Sequence, residues 1–543
     1  MGSIDTPPLT AAQLPTINLD TTLAELYRRA SPKNADRKLG LVLCGVTSAL
    51  DLGPDFPHNT KYPYQDGPFV ALHAGELRNS NNRALQKSLA TKYVSLIPQR
   101  DAFIAGPGAP VILFHQGRTA AQRARDRREA EATVAVLGTE QRPELVFCAG
   151  PASIPLGGEH GIAQIAYKVV LDGLARYPLT HPLDAHWFLN SKAALARSGL
   201  PTPRTRIVEI EGHGGAAGSA CCARCAAVET DMRFIPAGCT GGRGRWLEAQ
   251  AARVVEAVER QPVPFVLKTQ QTFGGAGTWV VRSEQQKQDL LRDLWRRRGE
   301  AEGQEEESEN DNSDNDGDDG ILRRLLSQVT AENRHLHPGS IIISDLVADA
   351  VADYGVTFLA TDAGEAVFLG ASEQLTDPDN AWIGSTINFS RQQKLHDKFA
   401  PLIQRAAAWV ARHGYYGPVG IDVLETRTSG ETASATGEPT AHHVVDLNAR
   451  TSGSLALPLL CGHFVERGLQ CAGSFSVAVD GGRRDFVDAW RAELEAGRML
   501  ILSWYEDDEV GESLADVVVG GEDERDLKRR MARVREATRE VTF

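Results

Sequence analysis

The chain has 543 residues, 42% of them hydrophobic and 24% charged, which is ordinary for a globular protein and long enough for roughly three or four domains. Its formal net charge of −13 is concentrated in residues 300–319, which contain 11 acidic residues and no basic ones, so the rest of the chain is close to neutral. This balance gives no support to nucleic-acid binding, and the sequence contains no run of about 18 apolar residues that could span a membrane.

Residues 1–37 form a polar N-terminal extension that contains prolines and lacks the apolar core of a signal peptide. Eight cysteines are few for a secreted protein held together by disulfides, so we expect a cytoplasmic protein in a reducing compartment. Gly2 followed by Thr6 fits the loose pattern for N-myristoylation, and lipidation therefore stays open.

Residues 38–184 alternate between apolar runs and helical stretches, which predicts an α/β domain. Four runs have the composition of buried strands: 39–46 (LGLVLCGV), 68–75 (PFVALHAG), 109–117 (APVILFHQG) and 143–150 (PELVFCAG). In residues 161–177 the apolar side chains recur at helical spacing, so we expect a helix there.

A glycine- and alanine-rich insertion at 211–245 contains four of the cysteines, Cys221, Cys222, Cys225 and Cys239. Cys222 and Cys225 have the spacing of half a zinc site. Cys221 and Cys239 have no partner at such a spacing, so we favour a flexible loop with free thiols, with zinc binding as the alternative.

Residues 262–281 read as a hairpin in which a short apolar strand ends at Lys268 and a glycine-rich loop, 270–278, leads into a second strand. Glycines allow backbone amides to approach phosphate oxygens, and the lysine adds a point charge. An ordinary hairpin turn is the alternative. A dinucleotide fingerprint fits less well, because no helix follows these glycines and the region about 20 residues on is an arginine-rich helix ending at Arg298.

The acidic segment 299–320 has almost no apolar residues and is predicted to be a disordered insertion between helical segments near 287–298 and 321–334. Part of it begins like a calcium-binding EF-hand loop. The twelfth position would then be Arg323, where a glutamate is needed, so we reject a calcium site.

Two short strands between 414 and 454 carry the chemistry that points to a metal. The first delivers Asp422, and the second delivers Asp446, Asn448 and Arg450 at alternate positions, which places these three on one face. Carboxylate and amide oxygens suit magnesium, and the guanidinium can hold a phosphoryl or carboxylate group. The alternative is that Arg450 is a structural ion-pair partner of Asp446.

With the hairpin at 262–281, this block resembles the ATP-grasp superfamily of carboxylate–amine ligases over about residues 185–470. The resemblance implies an α/β and α+β protein: an α/β domain at 38–184, followed by two α+β subdomains, 185–298 and 321–470, that clamp the nucleotide. Residues 471–543 would be a C-terminal extension that covers the site or mediates formation of a homodimer.

The resemblance also assigns roles to individual residues, again as expectations. The catalytic residues would be Arg450 and Lys268, and Asp422, Asp446 and Asn448 would bind Mg²⁺, with Mn²⁺ as an alternative. Contacts to ATP would come from Lys192, Lys268, Gly274, Gly275, Ala276, Gly277, Thr278, the hinge residues Asp345 and Val347, and Asp353, or less favourably Asp349, at the ribose.

Two positions depart from the family pattern: Asp446 replaces the usual glutamate in D-L-N-A-R, and Ser344 replaces the frequent hinge glutamate. The expected activity is ADP-forming ligation of a small carboxylate to an amine through an acyl phosphate, and the large insertions fit an enzyme of secondary metabolism. The alternative is a catalytically degenerate ATP-binding regulatory or scaffold protein.

Overall fold

A computed structural model of the protein describes residues 14–45, 59–65, 92–115, 119–215, 221–227, 235–236, 238–272, 276–295, 320–376, 382–427, 440–507 and 511–540. The predicted strand at 68–75, most of the acidic insertion and residues 428–439 lie outside these residues. None of the described helices combines the length and the apolar character needed to cross a bilayer.

The N-terminal domain is built on a four-stranded parallel sheet of order β3-β2-β1-β4. Its strands are β1 (Leu39–Val42), β2 (Val111–Phe114), β3 (Leu145–Cys148) and β4 (Gln164–Tyr167). Its helices are α1 (Leu23–Ala30), α2 (Ile97–Phe103) and α3 (Ala120–Val134). The α/β domain predicted from the alternating apolar runs is therefore confirmed.

The helix expected at 161–177 is wrong, because this segment contributes β4 to the parallel sheet. Strand β4 pairs with β1 along its length and is buried at all four positions. A strand covered on both faces is apolar throughout, and a short apolar run of this kind cannot be told from a buried helix by its periodicity.

The small subdomain has an antiparallel sheet of order β5-β8-β6-β7. Its elements in chain order are α4 (Leu183–Leu189), α5 (Lys192–Arg197), β5 (Thr205–Val208), α6 (Ala223–Ala227), α7 (Gly242–Glu259), β6 (Phe265–Lys268), β7 (Thr278–Val281), α8 (Glu284–Leu294), α9 (Ile321–Ser327) and β8 (Ile341–Asp345). Apolar residues of α7, α8 and α9 pack on this sheet and form its core.

The remaining strands form a nine-stranded sheet of order β13-β12-β9-β10-β11-β14-β16-β15, with β17 paired to β14. The strands are β9 (Ala350–Ala360), β10 (Ala366–Thr376), β11 (Trp382–Asn388), β12 (Gly417–Arg427), β13 (Thr440–Asn448), β14 (Cys471–Asp480), β15 (Met499–Asp507), β16 (Glu512–Gly521) and β17 (Arg539–Glu540). The helices are α10 (Gln392–Arg412), α11 (Ala456–Leu459), α12 (Cys461–Val465), α13 (Arg483–Ala489), α14 (Arg491–Glu495) and α15 (Glu524–Ala537).

Residues 471–540 therefore continue the large sheet through the antiparallel pairing of β14 with β11. The C-terminal extension predicted at 471–543 thus contributes four strands, β14 to β17, and the charged helix α15. An apolar core that includes Leu23, Leu41 and Leu457 joins the N-terminal domain to the large sheet. The architecture is that of the predicted fold class, a parallel α/β domain followed by two antiparallel α+β units.

Candidate active site

A cavity of about 280 Å³ lies where strands β9, β10, β12 and β13 of the large sheet meet the β6–β7 hairpin and α5 of the small subdomain. Eight of the residues predicted from the sequence line it: Lys192, Lys268, Thr278, Asp353, Asp422, Asp446, Asn448 and Arg450. Lys192 and Asp446, which are 254 residues apart in the chain, therefore meet at one site.

Strand alternation explains how the large sheet contributes to this cavity. Asp353, Gly355 and Thr357 occupy alternate positions of β9 and all line it, because alternate side chains of a strand share a face. On the next strand, Asp422 lies directly opposite Asp446 of β13. The two carboxylates thus lie side by side on the cavity face of the sheet.

The pairing of β12 with β13 is irregular at this point. Asp422 pairs with Asp446 but the next residue, Val423, pairs with Val444, so Val445 is an extra residue on β13. Such a bulge re-aims the local backbone and is frequent beside active sites. Here the carbonyl oxygen of Val445 accepts a hydrogen bond of 2.7 Å from Lys268 Nζ.

Two lysines of the small subdomain face these carboxylates. Lys192 is the first residue of α5, is only 7% exposed, and places its Nζ 2.5 Å from Asp446 Oδ1. Lys268 ends β6 and lies close enough to Asp446 and Asp422 to interact electrostatically with both. The cavity therefore has one positive and one negative wall, contributed by different subdomains.

Burial and neighbouring charges shift the ionisation of these groups. Burial, with repulsion from Asp446 and Asp353, raises the pKa of Asp422 to about 7. Burial also acts to raise the pKa of Asp446, but attraction to Lys192 and Lys268 outweighs it and holds that pKa below its ordinary value. One carboxylate is thus kept ionised by the lysines while its neighbour resists ionisation.

Burial also shifts two groups on either side of the carboxylate pair. The pKa of Lys268 falls to about 8, chiefly through burial and only partly offset by attraction to Asp446. Burial raises the pKa of Asp353 to about 6. A site in which several groups titrate near neutrality is a candidate for chemistry.

Asn448 and Arg450 line the cavity beside the two carboxylates, with one difference from the predicted arrangement. Strand β13 ends at Asn448, so strand alternation places Asp446 and Asn448 on one face but does not extend to Arg450. Arg450 lies in the bend that follows, lines the cavity, and donates a 2.7 Å hydrogen bond from Nη1 to Asn448 Oδ1. Its position in the site comes from this bend, and the strand assignment at 450 was wrong.

The oxygen donors on this wall fit a magnesium ion in kind. Asp422, Asp446 and Asn448 offer two carboxylates and an amide oxygen, which are the hard ligands that Mg²⁺ prefers. Mg²⁺ commonly takes only a few ligands from protein and fills its other positions with water and phosphate oxygens. The repulsion that raises the pKa of Asp422 also marks an excess of negative charge that a cation would relieve.

The glycine-rich loop enters the site less directly than predicted. Thr278 lines the cavity, whereas Ala276 and Gly277 are absent from its described lining, and Gly274 and Gly275 lie outside the described residues. Gly277 has a φ of +65°, and its carbonyl oxygen accepts a 2.9 Å hydrogen bond from the Thr269 amide. The loop joins two antiparallel strands, which disagrees with a strand-to-helix dinucleotide fingerprint.

Gln270 connects this loop to the helix that carries Lys192. Its carbonyl oxygen accepts a 3.1 Å hydrogen bond from the Lys192 amide, and its Oε1 accepts one of 3.0 Å from the Ala193 amide. These contacts satisfy amides in the first turn of α5, which have no partners within the helix. They also fix the two lysine-bearing segments relative to each other.

The predicted hinge residues are placed differently from the others. Asp345 ends β8, is half exposed, and forms an ion pair of 3.2 Å with Arg204. Neither Asp345 nor Val347 is among the described residues that line the cavity. Asp349 is exposed, whereas Asp353 lines the cavity, so the structure separates the two ribose candidates.

The sequence left open whether Glu373 and Gln374, at the end of an apolar strand, face the substrate or are merely polar residues of a strand end; of the two, Gln374 is in the described cavity lining. From β10 it donates a 3.0 Å hydrogen bond from Nε2 to Asp422 Oδ1, and it accepts one of 3.2 Å from Ser385. Its neighbour Glu373 points to the other face and pairs with Arg391 at 3.3 Å. Gln374 thus orients one of the two central carboxylates.

The N-terminal domain closes the far side of the cavity through a buried ionic network that gave no signal in the sequence. Asp101 of α2 accepts hydrogen bonds of 2.6 Å from both Lys168 Nζ and Thr451 Oγ1, the latter 350 residues away in the chain. Arg100 reaches both Asp101 and Asp516 at 3.6 Å. Lys168, Arg100 and Thr451 all line the cavity.

The structure has the arrangement that the sequence resemblance implied, a parallel α/β domain and two antiparallel subdomains around one charged cleft. No family model matches the chain, and no curated protein matches it.

Three similar solved structures span most of the chain at low identity. They are N5-carboxyaminoimidazole ribonucleotide synthetase from Thermus thermophilus (13% identity, 80% of this chain and 94% of that one, TM-score 0.41), phosphoribosylamine–glycine ligase from Thermotoga maritima (13%, 82% and 96%, 0.41) and N5-carboxyaminoimidazole synthetase from Staphylococcus aureus complexed with ADP (8%, 80% and 92%, 0.41). Likenesses at this level identify no substrate and no activity for this chain.

Proposed function

We propose that the protein is an ATP-dependent, ADP-forming ligase that activates a small-molecule carboxylate as an acyl phosphate and joins it to an amine. The observation that carries this proposal is the pair of opposed charged walls. Asp422 and Asp446 lie side by side on one wall, and Lys192 and Lys268 reach them from the other.

The positive wall suits the phosphates of ATP. Lys192 is a buried cation and Lys268 a partly buried one, on two segments that Gln270 holds together, and Thr278 lines the same cavity. Buried charges act strongly on phosphate oxygens because little water competes with them. Asp353, which lines the same cavity, would accept hydrogen bonds from ribose hydroxyls.

The negative wall suits the metal that accompanies ATP. Asp422, Asp446 and Asn448 would hold Mg²⁺, which, when bound, would neutralise charge on the phosphate oxygens. Two of these ligand oxygens already accept hydrogen bonds, one on Asp446 from Lys192 and one on Asn448 from Arg450. We expect nucleotide binding to draw the lysine and the arginine toward phosphate, which would release both oxygens for the metal.

The reaction then follows from positioning and charge. A carboxylate oxygen of the acid forms a bond to the γ-phosphorus. At the same time the bond between the γ-phosphorus and the β–γ bridging oxygen breaks, which gives ADP and an acyl phosphate. The amine attacks the acyl carbon, loses a proton, and expels inorganic phosphate, so an amide is formed. Arg450, which lines the cavity, would stabilise the transferring group and the tetrahedral intermediate.

A second candidate is an ATP-binding protein without turnover. It is favoured by Asp446, which is one methylene shorter than the usual glutamate and already accepts hydrogen bonds from Lys192 and from the backbone of Leu447. If these bonds persist with nucleotide bound, Asp446 would not reach the metal in the required geometry.

Release of ADP and phosphate from Mg·ATP, measured with a panel of acids and amines alone and in pairs, separates the two candidates. A ligase would release ADP and phosphate with a particular acid–amine pair, and Asp446→Asn would abolish that release. Formation of AMP and pyrophosphate would refute the acyl-phosphate chemistry. Tight ATP binding without product for any pair would favour the binding protein.

A further inference from the structure

Four cysteine side chains of the small subdomain converge outside the active site. Cys221, Cys222 and Cys225 lie at the start of α6, and Cys239 lies in the turn before α7. Their sulfur atoms all lie within 4.8 Å of one another. The Sγ atom of Cys239 is 3.6, 3.7 and 3.4 Å from those of Cys221, Cys222 and Cys225 respectively.

These separations match those of a tetrahedral tetrathiolate site. With a zinc–sulfur distance of about 2.3 Å, the sulfurs at the corners of the tetrahedron are about 3.8 Å apart. All four cysteines are free thiols, and the distances between their sulfurs are far longer than the roughly 2.05 Å of a disulfide. An iron–sulfur cluster holds its cysteine sulfurs farther apart, because irons and sulfides lie between them.

The backbone around the cluster is shaped for close approach. A Cβ atom added at Gly241 would lie 2.4 Å from Cys221 Sγ, and one at Gly244 would lie 1.8 Å from the Cys239 carbonyl oxygen. Only glycine fits at these two positions. They allow the amino end of the 18-residue helix α7, where the helix dipole is positive and favours thiolates, to lie against the sulfurs.

A buried cation lies beside the sulfurs. Arg243, in the first turn of α7, is 5% exposed and directs Nη1 to within 3.7 Å of Cys225 Sγ. Four thiolates around one divalent cation carry a net charge of −2. A buried guanidinium at this distance offsets part of that charge. Four neutral thiols would carry no charge for the guanidinium to offset.

We propose that Cys221, Cys222, Cys225 and Cys239 bind one structural zinc ion. A site with four protein ligands and no open position is the structural type. The metal would tie the 221–227 segment to α7, whose apolar residues form the core of the small subdomain. The proposal is independent of the ligase activity, because no cysteine of this cluster lines the candidate active site.

The structure supplies the two ligands that the sequence left without partners. The C-x-x-C pair at 222–225 accounted for half a site, and the chain brings Cys221 and Cys239 beside it. The preference for free thiols rested on spacing alone. Spacing could not show that the turn before α7 returns to the start of α6.

Metal analysis of the full-length protein tests this proposal. We expect one equivalent of zinc per chain in protein expressed in zinc-supplemented medium and purified without chelators. Cys225→Ser and Cys239→Ser should lose that zinc, whereas Cys461→Ser, which removes a partly buried cysteine outside the cluster, should retain it. Sub-stoichiometric zinc in the wild type, or stoichiometric iron in its place, would overturn the assignment.

A spectroscopic test covers the case in which the cysteine variants do not fold. Wild-type protein loaded with Co²⁺ in place of zinc should show thiolate-to-cobalt charge transfer and the intense visible bands of a tetrahedral site. Titration with a thiol-specific mercurial should release the zinc as the four cysteine sulfurs, protected until then, exchange their bonds to zinc for bonds to mercury. Cobalt-loaded protein without these bands, or four thiols that react at once without metal release, would refute the site.

Discussion

Replacing Asp422 by asparagine is predicted to stabilise the metal-free protein while it removes activity. Asp422 is held beside Asp446 and Asp353, and burial and this repulsion raise its pKa to about 7 from an ordinary value of 3.8. An asparagine keeps the shape and can still accept the hydrogen bond from Gln374 Nε2, but it carries no charge. Residues retained for catalysis commonly cost stability in this way.

The magnitude follows from the difference between the folded and unfolded pKa values. Between pH 3.8 and about 7, the folded protein retains a proton on Asp422 that the unfolded chain has lost, so stability falls as pH rises. At about 1.4 kcal/mol per pH unit, the loss is roughly 2 kcal/mol at pH 5 and about 4 kcal/mol at pH 8. For a cooperative unit of a few hundred residues, about 4 kcal/mol corresponds to roughly 4 to 8 °C in Tm.

Thermal unfolding in EDTA at pH 5 and pH 8 measures this effect. Asp422→Asn should unfold at a higher temperature than the wild type, with the larger difference at pH 8, and should show no ATP turnover with Mg²⁺. Asp349→Asn, an exposed control in the neighbouring segment, should change neither quantity. A variant less stable than the wild type at pH 8 would refute the reasoning, since Asp422 would then be a structural ion-pair partner.

Three further predictions test other parts of the site. Lys268→Gln should lower kcat about 10²–10³-fold. The affinity of the wild type for ATP, measured by calorimetry, should fall as pH rises through about 8, because the amine of Lys268 then loses its proton. An affinity that does not depend on pH would contradict the contact between Lys268 and phosphate. Asp353→Asn should weaken ATP binding about tenfold, which is the value of one hydrogen bond. Asp345→Asn should leave ATP binding unchanged, because Asp345 is half exposed and outside the described cavity lining. A larger effect of Asp345→Asn than of Asp353→Asn would reassign the ribose contact to Asp345. Asp101→Asn should lower the free energy of unfolding, measured by chemical denaturation, by about 3–5 kcal/mol, because Lys168 stays buried without its carboxylate partner. Adding Lys168→Met should recover much of that stability. No recovery in the double variant would show that the two residues are not coupled.

The parts of the site that the sequence could predict are those carried by local patterns. Strand alternation placed Asp446 and Asn448 on one face, and an apolar strand ending in a lysine placed Lys268 beside a turn. The same rule, applied to β10, would have separated Gln374 from Glu373. These inferences need only the period of a strand and the composition of a short segment.

The parts that escaped prediction depend on long-range packing. The Asp101–Thr451 hydrogen bond joins residues 350 positions apart, and neither residue has a local pattern that marks it. The bulge at Val445 is an irregularity of pairing that composition does not reveal. The segment at 161–177 was misassigned because a strand buried on both faces has no period of its own.

The most direct test of the central claim follows the carboxylate oxygen of the acid that supports turnover. With both carboxylate oxygens of that acid labelled with ¹⁸O, attack on the γ-phosphorus carries one label into the inorganic phosphate that the amine later displaces. We predict one ¹⁸O atom in each phosphate released and none in ADP. Phosphate without label, or label in AMP, would contradict an acyl phosphate formed in the cleft between Lys268 and the Asp422–Asp446 pair.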